Sequence, residues 1–162
     1  MKLLFAILAI FMLNKDCEQN KASELTIGRD NSEKTSHDMS QEIKTIWYEA
    51  STRGFYERIW VSKDSTTITM DRNHVSKMTY PTSEGDWNEL MEKLNKVKVN
   101  ELPNLEAPTS MRQYDGAAFA TLGVVEGKSE TTSNSFDHGH PPKAIEAVVN
   151  KVLSIKASHE KN

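Results

Sequence analysis

Residues 43–61 read I-K-T-I-W-Y-E-A-S-T-R-G-F-Y-E-R-I-W-V, which is two strand-like segments around a turn. Segments 43–50 and 55–61 are rich in β-branched and aromatic residues, and the S-T-R-G between them is typical of a turn. The second segment alternates apolar with amphipathic side chains, Phe55, Ile59 and Val61 against Tyr56, Arg58 and Trp60. This pattern predicts a β-hairpin with one core face and one amphipathic face.

Downstream of the hairpin, strand patterns are interrupted by single helical patterns. Strands are predicted at 65–71, 74–80, 117–125 and 128–136, with Glu126-Gly127 as the turn between the last two. Ser83 with Asp86 forms a capping pair, and Pro141 and Pro142 suit a first helical turn. Each helix then carries one apolar stripe, formed by Trp87, Leu90, Met91, Leu94 and Val97 and by Ile145, Val148, Val149, Val152 and Leu153.

These elements predict a two-layer α+β fold. An antiparallel sheet of five to six strands is expected to carry two helices on one face, in the order β-β-β(-β)-α-loop-β-β-α. A chain of 162 residues is close to the usual size of one domain, so a single domain is expected over residues 43–156. Residues 157–162 are expected to be a disordered tail.

The N-terminal sequence M-K-L-L-F-A-I-L-A-I-F-M-L-N-K-D-C predicts export. Its apolar run, Leu3 to Leu13, rises only about 16 Å as a helix, which is too short for a hydrocarbon core of about 30 Å. Residues 1–17 are therefore predicted to be a signal peptide and residues 18–42 a flexible polar tether. Cys17 stands where bacterial lipoproteins carry their lipid, but Asn14, Lys15 and Asp16 precede it, so lipidation, simple secretion and an uncleaved short anchor are all open.

Composition excludes several classes of function. Twenty basic and 23 acidic residues are interspersed and leave a net charge of −3, so nucleic-acid binding is not expected. A single cysteine rules out an internal disulfide and a cysteine-rich zinc module. No cofactor is expected, and contact with a membrane is expected only through the N-terminal signal or a lipid on Cys17.

Five short motifs lie in order between residues 46 and 153. They are R-G-F-Y at 53–56, D-W-x-x-L at 86–90, L-P-N-L-x-A-P-T at 102–109, Y-D-G-A at 114–117 and F-D-H-G-x-P-P at 136–142. Together they resemble small exported proteins of Bacteroidota such as flavobacteria, which include lipoproteins with a domain of unknown function. The resemblance implies a periplasmic, cell-surface or outer-membrane lipoprotein, or a secreted protein, and implies no activity.

The densest polar cluster is Asp137, His138 and His140. Imidazole and carboxylate groups suit zinc, copper or nickel, so His138 and His140 are candidate metal ligands, with His74, Asp115 or Asp71 as a third. The competing interpretation is a strand-to-helix loop in which Asp137 accepts hydrogen bonds from turn amides and Gly139 provides the bend.

A second cluster contains Arg112, Tyr114 and Asp115. Arg112 and Asp115 can form an ion pair around the Asp115-Gly116 turn. Alternatively, this loop meets the segment that carries Asp137 and His138, because both flank the last two strands. The five side chains would then line a polar groove for an anion or a peptide.

The function predicted from these features is a non-enzymatic, exported binding module, since no familiar enzyme signature is present. Its partner is expected to be a protein, a peptide or a small ligand of the envelope. Tyr56, Trp60 and Trp47 form a candidate contact surface on the face opposite the helices. Two alternatives are a metal-dependent activity at His138 and His140 and a hydrolase inhibitor that uses the 103–116 loop.

Overall fold

The structure, a computed structural model, describes residues 43–161. The predicted signal peptide, Cys17 and the tether therefore lie outside the described residues. The elements in chain order are β1 (Ile43–Ser51), β2 (Tyr56–Val61), β3 (Ser65–Thr69), β4 (Met78–Pro81), α1 (Glu84–Leu94), β5 (Phe119–Glu126), β6 (Ser129–Thr132), β7 (Phe136–Asp137) and α2 (Glu146–Glu160). Two 3-10 helices, Val99–Asn104 and Met111–Tyr114, lie between α1 and β5.

The strands form one antiparallel sheet in the order β4-β3-β2-β1-β5-β6, and β7 pairs with the beginning of β5. This confirms the α+β prediction, with one strand more than expected. The extra strand arises because Ser133 divides the predicted strand 128–136. The Ser133 amide donates to the Leu122 carbonyl, while its hydroxyl oxygen accepts from the Leu122 amide in place of a backbone carbonyl. The ladder is interrupted there and resumes at Phe136.

The two helices share one hydrophobic core with the inward face of the sheet. Alternate residues of β1 are buried in this core, and so are the stripes of both helices. The fully buried members include Ile46, Tyr48, Ala50, Ile59, Leu90, Leu94, Leu122, Val148 and Val152. Burial of each aliphatic side chain of this kind contributes on the order of 1.5–3 kcal/mol to folding. The stripe periodicity therefore identifies the packed face of each helix correctly.

The capping pair predicted for α1 is present. The Ser83 hydroxyl oxygen accepts from the Asp86 amide at 3.1 Å, and the Ser83 hydroxyl donates to the Asp86 carboxylate at 2.6 Å. These bonds satisfy one of the free N–H groups at the start of the helix and fix its first residue as Glu84. Val97 lies beyond the end of the helix but still packs against the core.

Both ends of α2 differ from the prediction. Pro141 and Pro142 lie in a turn before the helix, which begins at Glu146 after the Ile145 amide donates to the Pro142 carbonyl. At the other end, the helix continues to Glu160, so the predicted disordered tail is wrong for residues 157–160. The Tyr80 ring stacks on the His159 ring there, with centroids 4.6 Å apart. This contact gives the last helical turn a partner on β4.

Three strand boundaries also differ from the predicted ones. The third strand ends at Thr69 instead of residue 71, so Met70 follows β3 and is exposed. The fourth strand begins at Met78 instead of residue 74, because residues 71–77 form a loop. The β5–β6 turn consists of Gly127 and Lys128, one position later than predicted, since Glu126 pairs with Ser129.

Two lysines, the buried Lys151 and the partly buried Lys156, connect α2 to the rest of the domain. Lys156 pairs with the carboxylate of Glu57, which is 2% exposed and lies on β2. Lys151 pairs with Asp86 and Glu89 of α1. Charges at buried positions need such partners, because an unpaired charge there is strongly destabilising. Among residues 43–161, no helix is long and apolar enough to cross a lipid bilayer.

Candidate functional site

Asp137 is buried at the centre of a hydrogen-bond network that joins two loops. One carboxylate oxygen accepts from the Thr109 hydroxyl at 2.5 Å and from the Met111 amide at 2.7 Å. The other accepts from the Arg112 amide at 2.9 Å and from the Arg112 guanidinium at 3.0 Å. The side chain has no exposed surface. Asp137 therefore holds the 109–112 segment against the start of β5.

The protonation state of Asp137 follows from this network. Burial by itself raises the pKa of the Asp137 carboxyl, but the hydrogen bonds from Thr109, Arg112 and Met111 outweigh it and hold the pKa far below its usual value. The group is an ionised carboxylate whose acceptor positions are occupied by four donors. It is an anchor for the loop and has little capacity left to bind a ligand or a metal.

His138 and His140 have separate surroundings. The Tyr48 hydroxyl and the His138 Nδ1 atom are hydrogen-bonded at 2.7 Å, and the His138 ring also contacts Phe55. Burial and the charge of Glu57 raise the pKa of the Tyr48 hydroxyl. His140 is exposed at the following turn. Within the described part of the chain, no three histidine, cysteine or acidic side chains are grouped so as to hold a metal ion.

The predicted meeting of the two polar clusters is present, but through other atoms than expected. Arg112 pairs with Asp137 at 3.0 Å, and this ion pair replaces the predicted pairing of Arg112 with Asp115. Asp115 instead ends the second 3-10 helix in a left-handed conformation with φ of 59°, and the following Gly116 amide donates to the Met111 carbonyl. Tyr114 is 80% exposed. The segment around these residues forms one wall of a cleft.

This cleft has a volume of about 650 Å³ and lies where the β1–β2 turn, the 112–117 segment and the start of β5 come together. Three arginines from distant segments line it: Arg53, Arg72 and Arg112. The other lining residues are Ser51, Thr52, Gln113, Asp115, Ala117 and Phe119. We call it the arginine cleft. Its lining contains three guanidinium groups and one carboxylate; because Arg112 is paired with Asp137, the excess of positive charge comes from Arg53 and Arg72 against Asp115.

The three arginines differ in how many donors they have free. Arg112 uses one guanidinium nitrogen on Asp137 and on the Thr109 carbonyl. Arg72 donates from one nitrogen to the Thr52 carbonyl at 2.6 Å, which holds the β1–β2 turn. Within residues 43–161, Arg53 has neither a carboxylate partner nor a hydrogen bond. Arg53 is therefore the cation of the cleft whose donors are all available.

Exposed apolar side chains surround the same end of the sheet. Phe119 lines the arginine cleft and is 47% exposed, and Met111 and Tyr114 belong to the adjacent 3-10 helix. Phe55 and Met70 are exposed beside the β1–β2 turn. Clusters of apolar side chains near polar groups are characteristic of binding surfaces. The cleft therefore combines cations with exposed apolar surface.

The predicted aromatic contact surface is largely covered. Tyr56 and Trp47 are only 8% and 7% exposed, although they lie on the face opposite the helices, and Trp60 is half-buried. The Arg58 guanidinium lies over the Trp47 ring at 4.1 Å and the Trp60 ring at 5.0 Å. These contacts leave little aromatic surface free for a ligand.

The loop of residues 71–77 supplies the cover. His74 Nε2 and the Tyr56 hydroxyl are 2.5 Å apart, and the edge of the His74 ring meets Trp60. Asp71 holds the loop by accepting from the amides of Asn73, Val75 and Ser76. These bonds lower the pKa of the Asp71 carboxyl. Asp71 and His74, the guessed additional metal ligands, therefore serve to shape this loop.

Two of the three arginines of the cleft are not among the candidate site residues of the sequence. Arg53 was interpreted as part of a turn, and Arg72 was not considered. Each stands next to a turn signal, Arg53 before Gly54 and Arg72 after Asp71, and such positions say little about tertiary neighbours.

Comparisons with models of protein families and with curated proteins find no match for this chain.

Proposed function

We propose that this protein is an exported, non-enzymatic binding module that holds an anionic ligand in the arginine cleft. The observation that carries the proposal is the convergence of Arg53, Arg72 and Arg112 on one cleft with a single carboxylate in its lining. Guanidinium groups present several donors in a plane that matches carboxylate and phosphate oxygens. A cleft with this lining favours anions over neutral or cationic molecules.

Binding is a better interpretation than catalysis because of the state of the polar groups. Asp137, a carboxylate next to the cleft, is occupied by four donors, and the Tyr48 hydroxyl is engaged with His138. An acid or a base must be able to reach the proton it transfers. Arg53 by contrast has its donors available, which suits recognition of a ligand that is not changed.

Export is proposed from the N-terminal sequence and from the resemblance to exported proteins of Bacteroidota. In that setting the domain stands in the periplasm, on the cell surface or in the medium, with Cys17 as the candidate lipid attachment and residues 18–42 as the tether. Mass spectrometry of the mature N-terminus tests this part. A thioether-linked diacylglycerol on Cys17 supports the lipoprotein form, whereas an intact Met1 in material from the native cell contradicts removal of a signal peptide and hence both the lipoprotein and the secreted form.

Ligand class is tested by NMR titration of the isotopically labelled domain. Succinate, phosphate, choline and glucose are added separately, and backbone amide shifts are followed. We expect the two anions to shift the amides of 51–53, Arg72 and 112–119, and choline and glucose to leave them unchanged. Anion-induced shifts that are absent, or spread evenly over the domain, would count against the proposal.

A charge-matched pair of variants makes the test specific. Arg53→Glu places a carboxylate in the cleft and is expected to abolish the anion-induced shifts. Lys128→Glu makes the same change of charge in the β5–β6 turn, at the opposite end of β5, and is expected to preserve them. If both variants respond to anions alike, binding depends on overall charge and not on the cleft.

A further inference from the structure

Two smaller depressions adjoin the arginine cleft and share its walls. One, of about 580 Å³, is lined by residues 105–110 with Asn134 and Ser135, and shares Arg112 and Gln113 with the cleft. The other, of about 240 Å³, lies beside Phe55 and Met70 and shares Arg53 and Arg72 with it. Because neighbouring depressions have residues in common, the three lie side by side around this end of the sheet, and we call this surface the groove. The groove is longer than a small anion requires.

Charge is distributed unevenly along the groove. Arg112 lines both the central cleft and the depression beside residues 105–110, but its charge is paired with Asp137. The cations without a carboxylate partner among the described residues, Arg53 and Arg72, therefore lie in the central cleft, and the flanking depression adds only Glu106. A ligand that matches this pattern has its negative charge at one end and a neutral body. A polyanion with charges along its whole length matches it less well.

The walls of the flanking depression suit a peptide chain. Leu105, Ala107 and Pro108 provide apolar surface, while Asn134, whose amide donates to the Leu105 carbonyl at 3.5 Å, and Ser135 add polar side chains. A peptide in extended form offers apolar side chains for such surface and backbone amides for such polar groups. In the central cleft, Phe119 provides an exposed aromatic ring for the last side chain of the ligand.

We infer that the groove binds the C-terminal end of a peptide or protein. The terminal carboxylate lies in the arginine cleft and is bound by Arg53, and the residues before it run into the depression formed by residues 105–110. This inference rests on the proposed anion-binding function and specifies its ligand. An apolar last residue is expected because Phe119 lines the same cleft.

The test uses two pools of N-acetylated peptides with randomised final positions, identical except that one ends in a free carboxylate and the other in an amide. Retention of each pool on the immobilised domain is measured, and the retained peptides are sequenced. We expect at least roughly tenfold stronger retention of the free-acid pool, as for the loss of one charge-assisted hydrogen bond. Retained sequences are expected to be enriched in apolar final residues.

Variants locate the contact. In Arg53→Ala the preference for the free acid is expected to disappear, because the variant lacks the guanidinium group that binds the terminal carboxylate. Asn134→Ala is expected to weaken retention of peptides and to leave succinate binding unchanged. Lys128→Ala, which removes a cation far from the groove, is expected to change neither.

The outcomes separate this inference from the proposed function. If succinate binds in the cleft but the free-acid pool is not retained above the amidated pool, anion binding stands and the peptide inference is overturned. If a free-acid preference persists in Arg53→Ala, the carboxylate is bound elsewhere and the inference is also overturned. If neither succinate nor peptides bind, both proposals fail.

Discussion

The indole ring of Trp47 occupies the space beside Gly123 on the neighbouring strand, so that a Cβ added at Gly123 would lie 2.1 Å from the indole Cε2 atom. The two residues are directly paired across β1 and β5. The same indole donates from Nε1 to Glu130 on β6 at 2.6 Å. Glycine at position 123 thus allows Trp47 to reach across β5 to the edge of the sheet.

Gly123→Ala is expected to displace the Trp47 ring and to lower the free energy of unfolding by about 1–3 kcal/mol, as in other overpacked sites. Denaturant unfolding followed by tryptophan fluorescence measures this change. The matched control is Gly85→Ala in α1, where an added Cβ meets no atom within 4 Å. In this control the free energy of unfolding is expected to increase by about 0.4–1 kcal/mol. Equal stabilities for the two variants would contradict the assigned position of the indole.

Asp137→Asn is expected to loosen the 109–112 segment. In the variant, an NH₂ group replaces one carboxylate oxygen and faces hydrogen-bond donors of the 109–112 segment, so hydrogen bonds to that atom are lost. The melting temperature is expected to fall by an amount on the order of 10 °C. Calorimetry measures the change, and Asp115→Asn, at an exposed position, serves as the control with an expected effect within about 0.5 kcal/mol.

The acid stability of the protein is expected to depend on Asp137. Folding lowers the pKa of the Asp137 carboxyl. The contribution of this carboxylate to the free energy of unfolding is therefore fully present above the ordinary pKa of about 4, and it is lost as the pH falls through the folded-state pKa. Melting temperatures measured across the acid range should fall less steeply in Asp137→Asn than in the parent. Parallel curves would show that the carboxylate is not preferentially stabilised by folding.

The ion pair between Glu57 and Lys156 predicts a double-mutant cycle in which the two single substitutions lower the free energy of unfolding by different amounts. Lys156→Met leaves the Glu57 carboxylate unpaired inside the domain, and about 3–5 kcal/mol is expected to be lost. Glu57→Leu should cost less, because Lys156 also contacts Glu160 at 3.3 Å near the surface. The double variant should recover most of the loss, since an apolar pair of similar volume replaces a buried ion pair with little cost. Denaturant unfolding of all four proteins provides the cycle, and additive effects would refute the coupling.

Tyr56 predicts a late step in the alkaline titration. Burial, together with the hydrogen bond to Glu49 and its charge, raises the pKa of Tyr56 to about 12. Because the pKa is raised in the folded state, the protonated Tyr56 hydroxyl contributes fully to stability below its unfolded-state pKa of about 10. This contribution is lost as the pH rises toward 12. Phenolate absorbance of the native protein should contain a step near pH 12 that Tyr56→Phe removes. A difference curve with its midpoint near pH 10 would rule out this environment.

The elements that the sequence predicts well are those with local periodicity. The alternation at Ile59 and Val61 and the stripes after Ser83 and before Ile155 are visible within short windows, and burial follows them. Phe55, predicted for the same core face, is exposed because it precedes β2 and belongs to the β1–β2 turn. The division of 128–136 at Ser133 was not predictable in this way, because it depends on a hydroxyl that pairs with Leu122 on another strand. The extra turn of α2 likewise depends on the Tyr80–His159 contact, which joins distant parts of the chain.

Part of the candidate site was predictable from local sequence patterns, and part was not. The meeting of Arg112 with Asp137 was within reach, since both segments flank the last strands and each carries a turn signal. The cleft itself was not, because Arg53 and Arg72 reach it from the β1–β2 turn and the loop after β3. Their convergence depends on β1 lying between β2 and β5, and no local pattern specifies that neighbour.

The central place of β1 also sets an order of folding. The β1–β2 hairpin can close as soon as residue 61 has been made, but the other edge of β1 must wait for β5, which joins Ser51 to Phe119. A chain that emerges from its N-terminus therefore presents an unpaired edge along β1 until much of the domain is available. Open strand edges of this kind favour association with other chains. Residues 46–51 are thus the stretch that a holding chaperone would most need to cover before β5 is available.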